Sequence, residues 1–444
     1  MLFSGIPFLY YFLPVVLALY FLLPKRWRNG TLLFSSLVFY AWGEPNYVFL
    51  MVGTIMFYYG MGLAMGRWPG AGRWFLWLSV LTAVALFGVF KYAGLFGAPW
   101  SLPLPIGISF YLFQTLSYVI DVYRGDATPQ RNLVEFGTYV AMFPQLIAGP
   151  IVRYVEVEPQ LRCRTVSRED LFVGFRRFLV GLGKKVLLAN LLGAFCTAYQ
   201  TAAAPSVGFA WLSALAYTLQ IYFDFSGYSD MAIGLGRILG FRFPENFDYP
   251  YLSASLTEFW RRWHQTLGRW FRDYVYIPLG GNRCSRLKWV RNLLVVWTLT
   301  GLWHGASWTF VLWGLGFGVL LGVEKLLPGL RKLGRFYVIP VVILSFVLFG
   351  SGSVAQAGTE FARLFGRGGL PLLTGETVYY LKSNLVLLAL GMLGATPFPK
   401  KLWQRWQDSA AMTVLEPLAL LGILLVSTAY LVDGSFNPFL YFRF

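Results

Sequence analysis

Apolar runs of close to twenty residues recur along the whole chain, separated by short polar loops. They cover about 5–23, 46–65, 74–90, 105–121 and 134–150, then 172–198, 207–223, 290–303, 307–325, 336–350, 378–395 and 414–432. An α-helix needs about 20 apolar residues to cross a hydrocarbon core roughly 30 Å thick. The pattern therefore predicts an all-α polytopic membrane protein with about 10–12 crossings, in a single domain over 1–444. Several runs are broken by Gly or Pro, among them "YAWGEPNY" at 40–47 and "FPQLIAGP" at 143–150. Broken helices at membrane depth are tolerated where protein or an internal cavity surrounds them, so the breaks point to a cavity. No internal repeat is evident.

Composition sharpens this picture. The chain is 57% hydrophobic and only 13% charged, about half the charged fraction of a soluble domain. Its net charge of +17 sits in the loops, where it suits the positive-inside pattern and anionic headgroups of a lipid bilayer rather than nucleic acid. Lys25, Arg26 and Arg28 predict that the first loop faces the cytoplasm. The first apolar run lacks a basic leader and a small-residue cleavage site, so it is expected to be a retained span rather than a signal peptide. Cys163, Cys196 and Cys284 are far apart and only two histidines occur, so neither a metal site nor a disulfide framework is expected.

The polar exceptions carry the candidate chemistry. On a helical wheel of 257–274, Trp260, Trp263, Leu267, Trp270, Phe271 and Tyr274 share one face. Arg261, Arg262, Gln265, Arg269 and Arg272 share the other, the pattern of a helix lying in the membrane interface. His264 falls at the edge of the apolar face. It reads either as an interfacial histidine between lipid and water or as a polar group at an entrance where Arg261, Arg262 and Arg269 meet an anionic cofactor. His304 lies in the middle of a stretch from Arg291 to Glu324 that holds no charged residue, flanked by Gly301 and Gly305. An ionisable group at that depth is expensive, which makes it a functional hypothesis by default. One reading makes it a neutral histidine bonded to a neighbouring helix through Thr300 or Ser307. The other makes it a general base for a hydroxyl proton. Asp224 and Asp230 either cap a helix start, pair with an arginine of the strip or orient a histidine.

Three long stretches resemble the membrane-bound O-acyltransferase family, and within it the bacterial alginate O-acetyltransferase branch. They are "YFDFSGYSDMAIGLGRILGFRFPENFDYPY", "TEFWRRWHQTLGRWFRDYVYIPLGGNR" and "GLWHGASWTFVLWG"; "LPIGISFYLFQTLSYVIDVYRG", "FPQLIAGPIVRY" and the ending "NPFLYFRF" agree in order. The resemblance implies a ring of transmembrane helices, with interfacial amphipathic helices, around a thin centre pierced by a tunnel. It implies transfer of an acyl group from a cytoplasmic thioester, acetyl-CoA for this branch, to a hydroxyl acceptor, with no permanently bound cofactor and no metal. His304 in "GLWHGASW" corresponds to the family's near-invariant histidine, and His264 in "RRWH" to its second, at the donor entrance. The branch further implies an inner-membrane enzyme serving a surface polysaccharide, and an extracytoplasmic or membrane-tethered esterase-like acetyltransferase as partner. Tyr441, near the C-terminus, reads as a transient acyl carrier or as an interfacial aromatic anchor. Two rivals remain open. One is D-alanyl transfer to teichoic acid by a related branch. The other is a polysaccharide or acyl transporter without chemistry, against which the lack of an inverted repeat weighs.

Overall fold

A computed structural model describes residues 3–98, 102–147 and 149–434, and every regular element among them is helical. Six helices are long and apolar enough to cross a membrane: Tyr47–Arg67, Pro69–Tyr92, Arg168–Gln200, Trp308–Leu326, Gly375–Gly394 and Ala410–Val432. Shorter apolar helices run over Phe8–Leu22 and Arg335–Gly350. The chain is thus a multi-pass helical membrane protein. Val207–Ile238 is long but falls outside the set of six, because Asp224, Asp230 and several serines interrupt its apolar character. In Val354–Leu364 and Phe398–Trp406 the polar and apolar residues separate onto opposite faces, as expected of interfacial helices.

Two stretches depart from the sequence reading. The run at 134–150 is not one span: Leu133–Ala141 ends at Met142, and Phe143–Leu146 follows as a single turn. Pro144 stands at the first positions of that turn, where its missing N–H costs nothing. Conversely, Arg28–Gly43 is a helix that the hydropathy pattern passed over. Its Thr31, Ser35 and Ser36 are buried in protein rather than facing lipid, and burial of that kind leaves no apolar run to read.

Contacts divide the chain into two units, Met1–Phe178 with Tyr228–Glu245, and Leu179–Gly227 with Asn246–Phe444. The first is built around buried aromatics. Phe3 stacks on Tyr228 with ring centroids 4.5 Å apart, and Tyr154 meets Tyr118 and Tyr139 edge-on. Asn132 caps Leu133–Ala141 through hydrogen bonds from the Val134 and Glu135 amides.

The second unit holds both histidines, and its central feature is the pair Arg286–His304 and Trp308–Leu326. Ser307 turns the corner, accepting the Thr309 amide at 3.3 Å as the cap of the second helix. The two helices touch backbone to backbone at Gly301 and Gly314. A Cβ on Gly301 would run into the Phe310 carbonyl oxygen, and one on Gly314 into that of Trp297. Small residues at such a crossing replace a hydrophobic driving force with close van der Waals contact. Because His304 sits one turn beyond Gly301, this crossing sets its place. Gly314→Val should destabilise the detergent-solubilised protein by about 1–3 kcal/mol, the usual cost of forcing extra carbon into a packed interface. Gly316→Val, where a Cβ meets open space, should leave the melting temperature nearly unchanged in the same thermal-shift series.

Candidate active site

The strip that the wheel drew as one interfacial helix is broken at its centre. Leu256–Arg262 ends at Trp263, Gln265–Phe271 begins after His264, and Arg272–Tyr276 widens into a π turn. His264 takes the left-handed conformation, φ 43° and ψ 53°. Among the described residues it and Tyr249 are the only non-glycine residues with positive φ. Such a conformation costs roughly 1–2 kcal/mol, so the surroundings must hold it.

Asn246 does so. Its side-chain oxygen lies 3.0 Å from His264 Nδ1 and accepts both the Thr266 hydroxyl at 2.9 Å and the Thr266 amide at 3.3 Å, while its backbone oxygen accepts the Gln265 amide at 3.0 Å. The donors that a continuous helix would have spent on its own carbonyls are spent on Asn246 instead. Trp263, Leu267, Trp270, Phe271 and Tyr274 are buried in protein, so the apolar face that the wheel assigned to acyl chains packs inward. His264 goes with it, only 2% exposed. It is neither at the lipid boundary nor open to water.

Because the Asn246 oxygen already takes two Thr266 donors, it meets His264 as a third acceptor contact, which puts the imidazole proton on Nδ1. Nε2 then keeps its lone pair, is buried, and has no hydrogen-bond partner among the described residues. Burial pushes the imidazole down from its ordinary value to about 3, so it is neutral at physiological pH.

Aromatic rings enclose the region. The His264 ring stands edge-on to Phe225 at 4.6 Å and 5.7 Å from Trp303. Trp303 is in turn 5.0 Å from His304, whose ring also meets Trp313 and Phe349 at 5.2 Å each. The structure thus brings both histidines against one indole, and His304 is buried, 3% exposed. Trp260 packs on Trp313 at 5.5 Å. The indole N–H groups of Trp260 and Trp313 are both buried without a partner among the described residues.

The other candidates fall elsewhere. Arg262 bonds Glu258 within its own helix at 2.7 Å, Arg261 is exposed and Arg269 half-buried. Asp224 sits within a helix rather than at its start and pairs with Lys185 at 2.6 Å, both side chains almost fully buried. Asp230, likewise within the helix, pairs with Arg177 at 2.9 Å. Both acids therefore answer cations of the Arg168–Gln200 segment, not arginines of the strip. Ser307 is a helix cap and Thr300 bonds the Val296 carbonyl of its own helix. Tyr441 lies outside the described residues.

Two residues escaped the sequence reading. One is Asn246, which stands 18 residues before the histidine it holds. The other is Glu324, 1% exposed, whose carboxylate accepts the Leu256 amide at 2.6 Å, the Thr257 amide at 3.2 Å and the Thr257 hydroxyl at 2.6 Å, and meets the Tyr337 hydroxyl. An acid at a helix N-terminus satisfies orphan amides and complements the dipole. It fixes the start of the Leu256–Arg262 helix, which ends just before His264. Its signal was a lone acid closing a charge-free run.

The protein matches the model of the membrane-bound O-acyltransferase family over residues 127–349. It is similar to a probable alginate O-acetylase of Azotobacter vinelandii, 44% identical over 393 residues, 83% of this chain and 79% of the relative. A probable alginate O-acetylase of Pseudomonas putida is 40% identical over the full length of both chains. A peptidoglycan O-acetyltransferase of Helicobacter pylori is 36% identical over 73% of this chain and 70% of its own.

The buried histidine makes stability depend on pH with a definite sign. Unfolding frees the imidazole to titrate near its ordinary 6.5, so between that value and about 3 the unfolded chain binds the extra proton. The contribution is complete above 6.5 and is lost as the pH falls through this window. The melting-temperature gap between wild type and His264→Gln should therefore narrow from about pH 7.5 to about pH 5, read by thermal shift in detergent.

Proposed function

The chain belongs to the membrane-bound O-acyltransferase family, and from that premise we propose that it draws acetyl groups from cytoplasmic acetyl-CoA and passes them, through this aromatic enclosure, toward a polysaccharide outside the bacterial inner membrane. It is an O-acyltransferase, and O-acetylation is its reaction. The observation that carries the site assignment is the burial of both histidines around Trp303, with the His264 Nε2 lone pair left without a protein partner.

The transfer needs two proton movements. The acceptor hydroxyl gives its proton to an imidazole as its oxygen attacks the thioester carbonyl carbon; the C–S bond then breaks and the departing thiolate takes a proton, leaving ester and free thiol. A neutral imidazole in a water-poor enclosure is suited to both movements. In this reading His304 takes the acceptor proton and returns it to the thiolate, while His264 stands on the donor side, with Asn246 holding the tautomer that leaves the Nε2 lone pair free to accept a hydrogen bond. Charge develops on the carbonyl oxygen in between, and the unsatisfied indole donors of Trp260 and Trp313 are what such an oxygen requires. Arg261, which is exposed, and Arg269, which is half-buried, are the candidates for the donor's phosphates, Arg262 being held by Glu258.

The acceptor glycan is reached with the help of an esterase-like acetyltransferase outside or tethered to the membrane. This partner and the inner-membrane location follow from the branch the chain resembles.

Base-releasable acetate on surface glycans, compared between intact, deleted and His304→Ala strains, tests the reading. Loss of a general base typically costs about 10²–10⁴ in rate, so acetate should fall to the level of the deletion. Full acetylation by the His304→Ala protein would instead favour a conduit without chemistry. For purified enzyme, Trp313→Phe keeps the ring and removes the N–H. It should lower kcat by about 10²–10³, the usual cost of one oxyanion donor, with little change in KM for acetyl-CoA.

A further inference from the structure

The first loop and the segment after the Tyr154–Arg162 helix meet around a cavity of about 470 Å³, entirely within the first unit. Its lining carries Lys25, Arg26, Arg28, Arg162 and Arg164 against one carboxylate, Glu135. That carboxylate is already bound, to Gln130 Nε2 at 2.9 Å and Asn132 Nδ2 at 3.2 Å. Arg162 has its own counter-ion in Glu158 at 2.6 Å. Among the described residues, no acid forms an ion pair with the remaining four cations.

The inner two are held in place by the fold. Both guanidinium groups pack on Tyr20, Arg28 5.1 Å and Arg164 5.6 Å from its ring centroid. Arg164 Nε donates to the Tyr20 hydroxyl at 2.9 Å and Nη1 to Asn29 Oδ1 at 2.7 Å, while Asn29 Nδ2 donates to the Leu161 carbonyl at 2.8 Å. The Arg28 Nε and Arg164 Nη2 atoms are nevertheless buried with no hydrogen-bond partner among the described residues. Two like charges held on one ring, each with an unused buried donor, repel each other unless an anion compensates them. A surface that only avoided aggregation would let these side chains extend into water.

We propose that this cavity is a binding site for a phosphate group. Several convergent guanidinium forks favour the multiple oxygens of phosphate over a single carboxylate. The setting fits as well: the cavity follows the apolar Leu13–Leu22 helix, and Leu22, Leu23 and Trp27 beside it are exposed, as at the depth where phospholipid headgroups lie. The phosphate comes from an anionic lipid headgroup or from a soluble phosphate compound, and the test separates the two. The site is distinct from the histidine enclosure, and its assay reads binding rather than acetyl transfer.

Cys163 lines the cavity and is an exposed free thiol, so it reports occupancy. In a protein carrying Cys196→Ser and Cys284→Ser, the rate of N-ethylmaleimide labelling at Cys163 is measured in phosphatidylcholine nanodiscs, with inorganic pyrophosphate titrated in, and again in nanodiscs containing phosphatidylglycerol. Bound phosphate slows labelling. Protection by phosphatidylglycerol identifies a headgroup site, and protection by pyrophosphate in phosphatidylcholine alone identifies a soluble phosphate. Arg28→Gln, which removes a side chain with no hydrogen bond among the described residues, should raise the half-protecting concentration about tenfold, the worth of one charge-assisted hydrogen bond. Arg28→Lys should raise it less. Labelling of the folded wild type that is indifferent to both additions overturns the proposal. So does protection that persists unchanged in Arg28→Gln and Arg26→Gln, because the anion would then be bound elsewhere.

Discussion

The side-chain oxygen of Asn246 meets three donors where the chain abandons helical geometry: the His264 ring nitrogen and the two polar groups of Thr266. A membrane protein interior offers no water to satisfy a broken helix, so a break of this kind survives only if other groups take over the lost hydrogen bonds. Asn246 does this and at the same time sets the left-handed backbone, the tautomer and the burial of His264. The shape of the site and the state of its imidazole thus share a single cause.

A second constraint places the partner histidine. His304 ends a helix whose approach to the next is limited by hydrogen atoms at Gly301 and Gly314, and the indole of Trp303 fills the space toward His264. Glu324 completes the frame from the far end of the same hairpin by gathering the amides that open the Leu256–Arg262 helix. Three distant segments therefore converge through one amide, one carboxylate and one backbone crossing. Aromatic rings fill the rest, excluding water and strengthening every remaining electrostatic interaction.

The ion pairs away from this site belong to scaffolding. Lys185 with Asp224, almost fully buried, and Arg177 with Asp230, part-buried, tie helices together, the first where an unpaired charge would be prohibitive. The basic cavity in the first unit differs because its cations outnumber their partners. That contrast between satisfied and unsatisfied charge is what separates framework from candidate site in a chain so poor in ionisable groups.

Hydropathy by itself determined the class of the molecule, since runs of about 20 apolar residues have one stable arrangement in a bilayer. The scarcity of histidine and the motifs around "RRWH" and "GLWHGASW" were enough to single out His264 and His304. Periodicity failed at the strip, where six apolar residues at helical spacing describe an inward face as well as a lipid-facing one, and where nothing local marks the break. Hydropathy also passed over Arg28–Gly43, whose small polar residues are buried against protein. The roles of Asn246, Glu324, Asp224 and Asp230 were decided only by the tertiary structure. Each is defined by a partner 18 or more residues away in the chain, and hydrogen bonds and ion pairs at that range leave no period in the sequence to read.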